Sequence, residues 1–242
     1  VNNFWLINMK TIHFETIDST NTYLKENYEK LDNFTFVSAD FQSAGRGRNN
    51  RNWKSEKGEN LLFSLLIKDK ALIDKFSSLS VISAFSIIKA LNLEHLSIKW
   101  PNDIYYKDSK LCGILLEAVT RNEIECLIVG IGLNVNQRDF VGEYKRTPTS
   151  LYQITKQIND IEQLKQSIFN QIYTDFMNVK EGYDFYNDIK EYDYLKDRKV
   201  YAEINNKVKQ IKVIGIDSDY SLKVLKDNET YNLSSGEITF HL

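Results

Sequence analysis

The chain has few of the residues that mark disulfide-rich, metal-binding or membrane proteins. Its 242 residues include two cysteines, three histidines and two prolines. Cys112 and Cys126 lie in apolar runs, without CxxC spacing or a nearby histidine, which favours reduced core residues over a disulfide or a zinc site. No apolar run approaches the roughly 20 residues that cross a bilayer. We therefore expect a cytoplasmic protein that is not attached to a membrane.

The chain also lacks a strong net charge. The net charge is -2, and 42% hydrophobic with 26% charged residues is the balance of an ordinary globular protein. This charge does not indicate a general nucleic-acid binder. The opening VNNFWLINMKTIHF has no basic segment followed by a long apolar one, so no secretory signal is predicted. A function that needs positive charge must therefore be local.

Hydrophobic patterns predict a larger part in which strands and helices are mixed. Alternating or continuous apolar residues indicate strands, which are predicted at 10–17, 34–39, 60–67, 96–100, 111–119 and 124–133. The last two, LCGILLEAV and IECLIVGIGL, are expected to pair as an antiparallel couple. Helical spacing occupies 73–91 and roughly 161–196.

The last part of the chain has a different sequence pattern. After Lys199 come five short strand-like runs, VYAEI, VKQIKVIGI, SLKVLK, TYNL and EITF, separated by NN, DSD, DN and SSG. This pattern predicts a small β-barrel or sandwich. Because it has fewer than about 60 residues, we expect it to dock on the larger part. The predicted domains are 1–196 and 197–242.

A basic segment, GRGRNNRNW (45–53), is unusual for its lack of aliphatic side chains. Between residues 41 and 58 five cations oppose one anion, Glu56. Glycines let the backbone approach a ligand, and arginine suits phosphate and carboxylate oxygens. A solvated loop is the simpler interpretation of such a run. Trp53 argues against it, because a tryptophan here is expected to find a planar or apolar partner.

Two common nucleotide-binding motifs are absent. GRGRNN and GIGLNV (130–135) both lack the third glycine of GxGxxG, and GxxxxGK[ST] does not occur. A second unusual stretch, KWPNDIYYKDSKLCGIL (99–115), places Asn102 and Asp103 at a strand edge after Pro101 and puts Lys110 at the start of the next strand. Taken alone, this stretch is best interpreted as a hairpin with turn residues.

Taken together, five motifs resemble those of the biotin–protein ligase family. In chain order they are STN (19–21), QxAGRGRxxRxW (42–53), KWPND (99–103), KxxGIL (110–115) and GIGxN (130–134). The terminal SSGEI (234–238) is similar to the family's small barrel. The ordered set is specific, whereas residues 137–198 carry little motif.

The resemblance implies an α+β fold with a mixed or antiparallel sheet flanked by helices, as in class II synthetases and biotin/lipoate ligases, and a small C-terminal SH3-like β-barrel. It implies ATP-dependent biotinylation of one lysine on a biotin carboxyl carrier protein, of acetyl-CoA carboxylase or a related enzyme, through biotinyl-5'-AMP. ATP and biotin would be substrates, with Mg²⁺. Only 17 residues precede Asp18, so we expect a ligase without a DNA-binding domain and without specific DNA binding. We also expect a monomer or a weak homodimer.

The resemblance also implies roles for individual residues. Lys110, with Arg46, Arg48 and Asp103, would be catalytic, and Asp103 would position Lys110 and could lie near Mg²⁺. Biotin would be bound by Ser19, Thr20, Asn21, Gln42, Gly45, Arg46, Gly47, Arg48, Lys110 and Gly113. The nucleotide and adenylate would be bound by Arg48, Arg51, Trp53, Lys110 and Asn134. Residues 41–58 would be a lid that stays mobile until anionic ligands order it.

Two other functions remain open on the sequence. A lipoate or octanoate ligase could use the same kind of fold. A nucleic-acid-binding module could use the basic loop 45–57, although one tryptophan does not make a stacking platform for single strands.

Overall fold

The computed structural model describes residues 10–49, 51–144, 146–204, 207–234 and 239–241. Within them, a seven-stranded sheet with helices on both faces is followed by a five-stranded antiparallel sheet. The strands of the larger sheet are β1 (Thr11–Phe14), β2 (Phe36–Ala39), β3 (Asn60–Ile67), β4 (Leu96–Lys99), β5 (Asp103–Tyr106), β6 (Ser109–Thr120) and β7 (Ile124–Asn134).

The larger sheet has the strand order β1-β2-β3-β7-β6-β5-β4. β1 and β2 are parallel, and the other neighbouring strands are antiparallel. The long β6–β7 couple is the antiparallel pair that the sequence predicts. β3 is an inner strand, between β2 and β7, and is buried along its whole length, as its continuous apolar run predicts.

Six α-helices accompany these strands in the described residues: α1 (Thr20–Asn27), α2 (Lys70–Ile73), α3 (Phe76–Leu91), α4 (Leu151–Thr155), α5 (Ile161–Lys180) and α6 (Tyr186–Ile189). The single helix predicted over 73–91 is wrong at its start, because the helix breaks between α2 and α3, where the Asp74 N–H bonds back to Leu72 and Lys70 carbonyls. The helical region predicted over 161–196 is interrupted after Lys180, where Gly182 has a φ of +92°.

The two faces of β3 pack against different helices. Phe63 packs on Phe169 of α5, with ring centroids 4.7 Å apart, and belongs to the main apolar core. Leu66, which points to the opposite face, packs with Leu24 of α1. Helix α1 is fixed at its start by Ser19, whose side chain accepts a hydrogen bond from the Thr22 N–H. A short helix is therefore held on one face of the sheet, opposite the longer helices.

The smaller sheet begins two residues after the predicted boundary at 197. Its strands are β8 (Lys199–Ile204), β9 (Lys207–Ile216), β10 (Leu222–Lys226), β11 (Glu229–Leu233) and β12 (Thr239–His241), in the order β11-β10-β9-β8-β12. Its inward side chains join the core of the larger part. The α+β class and the small C-terminal β unit are confirmed. Most of the SSGEI motif, residues 235–238, lies outside the described residues.

The docking of the two sheets uses hydrogen bonds as well as apolar contacts. Trp100 of the KWPND motif donates from its indole Nε1 to the Tyr220 carbonyl at 3.0 Å. The Tyr220 hydroxyl accepts from the Phe185 N–H at 3.0 Å and donates to Asp184 at 2.9 Å. The motif thus also anchors the smaller sheet, a role that its position beside the predicted site does not suggest.

Candidate active site

The predicted site residues converge on one cleft, of about 370 Å³, on the α1 face of the larger sheet. Every predicted site residue except Gly45 lines it: Ser19, Thr20, Asn21, Gln42, Arg46, Gly47, Arg48, Arg51, Trp53, Asp103, Lys110, Gly113 and Asn134. These residues come from separate motifs that the sheet brings side by side.

Glycines form the floor of the cleft and let other residues lie directly on the strands. Gly113 of β6 pairs with Gly132 of β7. The Trp53 indole covers both: a Cβ on Gly132 would lie 2.5 Å from its Cε2, and one on Gly113 would lie 2.9 Å from its Cζ3. The planar partner expected for Trp53 is therefore the bare backbone of two strands.

A second part of the floor holds a polar chain. The Asn21 side chain lies on Gly130, where a Cβ would be 2.1 Å from its Oδ1. Asn21 Oδ1 accepts from Ser64 Oγ at 2.5 Å. Ser64 Oγ is 2.6 Å from Thr20 Oγ1, and Gln42 Oε1 accepts from both the backbone N–H and the hydroxyl of Thr20, at 2.8 and 3.0 Å. The chain places donors and acceptors side by side at this end.

The basic segment forms a short hairpin, not the irregular loop that its composition suggests. The Trp53 N–H donates to the Gly45 carbonyl at 2.8 Å, and the Gly47 N–H donates to the Arg51 carbonyl at 2.7 Å. At the tip, Asn49 has a φ of +54°. We call residues 45–53, of which Asn50 is not described, the basic hairpin. Whether it moves, as the lid hypothesis requires, stays a prediction.

Gly45 has a packing position rather than a place in the cleft lining. It is buried, and a Cβ there would lie 2.7 Å from the Trp53 carbonyl oxygen. Only glycine lets the two arms of the basic hairpin approach this closely. The structure thus connects Gly45 to the shape of the hairpin, and its predicted contact with biotin finds no support in this position.

Lys110 is held by an ion pair and by backbone hydrogen bonds. Its Nζ is 2.8 Å from Asp103 Oδ1. The angles of this contact are not those of a hydrogen bond, so it is an ion pair only. Asp103 Oδ1 is buried and accepts no hydrogen bond from the described residues. The Lys110 backbone pairs with the 147–149 segment, donating to the Thr147 carbonyl at 2.8 Å and accepting from the Thr149 N–H at 2.9 Å. The positioning role predicted for Asp103 is consistent with this geometry.

Cations gather around the single carboxylate of Asp103. Burial lowers the pKa of Lys99 to about 8, against the attraction of Asp103, and the positive charges of Arg146, Lys110 and Arg48 lower it further. Burial likewise lowers the pKa of Arg48 below its usual value. Arg48 donates to Asn102 Oδ1 at 3.2 Å. Packing like charges together in a partly desolvated site favours an anionic ligand.

Some lining residues were missed by the site prediction. Lys99 and Asn102 stand inside the KWPND motif, so the motif was the available signal. The segment 138–148, by contrast, carries no motif, yet the lining includes its residues Phe140, Glu143, Tyr144, Arg146 and Pro148. It reaches the cleft through the pairing of residues 147–149 with Lys110, which no local pattern reveals.

Asn134 ends β7 with its side chain already engaged. It is buried, and its Nδ2 donates to the Thr149 carbonyl at 2.9 Å. This contact holds the 147–149 segment against the sheet. A direct contact of Asn134 with a nucleotide stays a prediction.

The described part of the chain contains no group of three or more His, Cys, Asp or Glu side chains placed to hold a metal ion. None of the described helices combines the length and the apolar character needed to span a membrane.

Known proteins are similar to this chain in sequence and in fold. The bifunctional ligase/repressor BirA of Bacillus spizizenii is 36% identical over 152 residues, which covers 59% of this chain and 47% of the relative. The biotin–[acetyl-CoA-carboxylase] ligase of Paracoccus denitrificans is 34% identical over 124 residues, covering 49% and 51%. The biotin protein ligase from Aquifex aeolicus, in complex with biotin and ATP, has a TM-score of 0.82 at 28% identity, covering 96% of this chain and 98% of that one.

The chain spans about half the length of the curated relatives it matches. The model of the biotin/lipoate A/B protein ligase family matches residues 13–134, half of the chain, and this stretch contains all five motifs. The matched stretch also holds the glycine floor, the polar chain and Lys110. The resemblance drawn from the motifs is confirmed: the chain belongs to the biotin/lipoate A/B protein ligase family.

Proposed function

We propose that this protein is an ATP-dependent biotin–protein ligase that forms biotinyl-5'-AMP and transfers biotin to a lysine of a biotin carboxyl carrier protein. The observation that carries the proposal is the joining, in one cleft, of a neutral polar chain to a cluster of cations around Lys110. A ligand with a polar neutral head and a carboxylate tail matches both ends. Relatives named as biotin ligases support the choice of biotin.

The first step joins two anions, which is its main obstacle. A biotin carboxylate oxygen attacks the α-phosphorus of ATP, the bond to the bridging oxygen breaks, and pyrophosphate leaves. Lys110 and Arg48 are the cations suited to offset the repulsion and the developing charge. Asp103 orients Lys110 through the 2.8 Å ion pair. No nucleophile of the enzyme is required.

The polar head of biotin needs both donors and acceptors. The ureido group carries two N–H donors and one carbonyl, and Thr20, Asn21 and Gln42 offer side chains of both kinds. Trp53, which lies on the glycine floor, supplies an apolar wall for the rest of the ligand. Its indole Nε1 is buried and has no hydrogen-bond partner among the described residues.

The nucleotide is expected on the other side of the cation cluster. The segment 138–148 brings the rings of Phe140 and Tyr144, 6.0 Å apart, to the cleft, and aromatic faces suit a purine base. Arg146 and Arg51 extend the positive charge towards the phosphates. Mg²⁺ is expected to enter with ATP, since it is usually bound by one or two carboxylates plus substrate phosphates. Asp103 would be one such carboxylate, and Glu143 is a second that lines the cleft.

In the second step, the amine of a carrier lysine attacks the acyl carbon of the adenylate, an amide bond forms, and AMP leaves. The carrier is proposed to be the biotin carboxyl carrier protein of acetyl-CoA carboxylase or of a related enzyme. A monomeric or weakly dimeric state, a cytoplasmic location and the absence of specific DNA binding stay predictions.

The direct test is biotin-dependent exchange of pyrophosphate into ATP. We expect exchange with biotin and little with lipoate or octanoate, followed by labelling of one lysine on a carrier protein. Exchange supported by lipoate and not by biotin would favour the alternative ligase on the same fold. Tight, salt-dependent binding of single-stranded nucleic acid without any exchange would favour the nucleic-acid module.

A further inference from the structure

One acidic residue ties the polar chain to the basic hairpin and belongs to none of the five motifs. Glu117 lies on β6, four residues after Gly113, so its side chain points to the cleft face of the sheet. We propose that Glu117 is a positioning residue that fixes the Asn21 amide and the Arg46 guanidinium for recognition of the polar head of biotin. This inference rests on the proposed function, because it assigns how that ligand is oriented.

The first support is the orientation of Asn21. Its Nδ2 donates to Glu117 Oε2 at 2.8 Å, and its Oδ1 accepts from Ser64 Oγ at 2.5 Å. The amide lies flat on Gly130, too close for any Cβ beneath it. A carboxylate can only accept hydrogen bonds, so it forces the NH₂ end of the amide towards β6 and the oxygen towards β3.

The second support is the other oxygen of the same carboxylate. Glu117 Oε1 is 3.3 Å from Arg46 Nη2, in the first arm of the basic hairpin. The side chain of Glu117 is 18% exposed and that of Arg46 is 43% exposed. Because the Arg46 side chain is well exposed, the pair is expected to add little to the stability of the fold, but it connects the first arm of the basic hairpin to β6.

The two contacts place Glu117 at the end of a continuous chain. From Asn21 the polar contacts run through Ser64 to Thr20 and then to Gln42. Helix α1, strand β3 and the segment after β2 are thus aligned with β6 and the basic hairpin. Turning the amide at the Glu117 end would reverse which groups are donors and which are acceptors at the ligand.

The test compares Glu117→Gln and Glu117→Asp with Glu123→Gln as the control. Glu123 is 75% exposed and pairs with Lys70 on the surface. Steady-state pyrophosphate exchange gives kcat and the KM for biotin and for ATP. We expect Glu117→Gln to raise the KM for biotin about tenfold. A glutamine amide can donate as well as accept, so it no longer fixes the orientation of the Asn21 amide, and it has no charge to attract Arg46. The kcat and the KM for ATP should change less than about twofold.

Glu117→Asp keeps the charge and should recover at least part of the affinity for biotin, and Glu123→Gln should match the wild type. An active wild type with an unchanged KM for biotin in Glu117→Gln would overturn this proposal alone. A large fall in Tm in both Glu117 variants would assign Glu117 to the fold instead of the ligand. An inactive wild type would overturn the proposed function, and this inference with it.

Discussion

At the scale of single residues, Lys110 illustrates how one cation acquires a role from its surroundings. It is fixed by an ion pair with Asp103 and by backbone pairing with residues 147–149. We expect Lys110→Ala to reduce pyrophosphate exchange about a hundredfold, since loss of one preorganised charge costs about 3 kcal/mol. The fold should be retained, because Lys110 is at the rim of the core. Lys107→Ala, exposed in the turn before β6, is the control, and near-normal exchange by Lys110→Ala would remove Lys110 from the mechanism.

Lys99 predicts a pH dependence that can be measured separately. Its pKa, lowered to about 8 by burial, means that it loses its proton and its charge as the pH rises through about 8. Asp103, Lys110, Arg48 and Arg146 are the charged groups around it. Because a protonated lysine attracts phosphates, we expect the KM for ATP to increase severalfold between about pH 7 and about pH 9.

The variant Lys99→Arg checks this assignment, because a guanidinium stays protonated over the whole range. If Lys99 is the titrating group, the rise in the KM for ATP above about pH 8 should be lost or strongly reduced in that variant. The same rise in both proteins would show that another group is responsible.

At the scale of elements, the basic hairpin is the candidate for a moving part. Backbone hydrogen bonds hold its arms together, while its cations repel one another and gain partners from a bound phosphate. We expect residues 41–58 to be cut by proteases in the free enzyme and protected with biotin and ATP. Arg48→Ala should release biotinyl-5'-AMP faster, because Arg48 connects the tip to Asn102 at 3.2 Å.

The off-rate of the adenylate and limited proteolysis together decide this prediction. Lys107→Ala, which removes an exposed cation outside residues 41–58, is the control and should behave as the wild type. Identical cleavage with and without ligands, or an unchanged off-rate in Arg48→Ala, would show that the hairpin is not a lid.

Single elements were predictable to different degrees. β3 coincides with its predicted range because a continuous apolar run on both faces leaves few alternatives. The break between α2 and α3 was missed. The apolar residues from Ile73 onward, including Phe76, have helical spacing, so the pattern gives no sign of the two residues that separate the helices. The basic hairpin was also missed as an element. Its pairing depends on Gly45 and Trp53 approaching each other, and not on a hydrophobic pattern.

At the scale of the whole molecule, the two sheets share one apolar core and are linked through Trp100, Tyr220 and Phe185. We expect a single calorimetric unfolding transition rather than one for each predicted domain. Tyr220→Phe should lower the Tm of that transition, because it leaves the Phe185 N–H without its acceptor, at a cost of about 1–3 kcal/mol. Tyr231→Phe, exposed on β11, is the control, and two resolved transitions would contradict the prediction.

The sequence by itself determined the family and the α+β class, and all the residues that it predicted for the site except Gly45 line one cleft. It could do so because the predicted site residues are concentrated in short motifs. The order and spacing of the motifs that contain Arg48, Lys110 and Gly113 are specific to the family. The strands could likewise be predicted from alternating or continuous apolar residues, a pattern that is local to each segment of the sequence.

Only the tertiary structure decided which residues share a surface. Glu117 and Asn21 are 96 positions apart in the sequence. The segment 138–148 reaches the cleft through backbone pairing with Lys110, which does not depend on the side chains of the segment and is not visible in its sequence. The register of β6 on β7 sets Gly113 beside Gly132 and thereby makes room for Trp53. Contacts of this kind depend on strand pairing between distant parts of the chain, and local periodicity carries no information about that pairing.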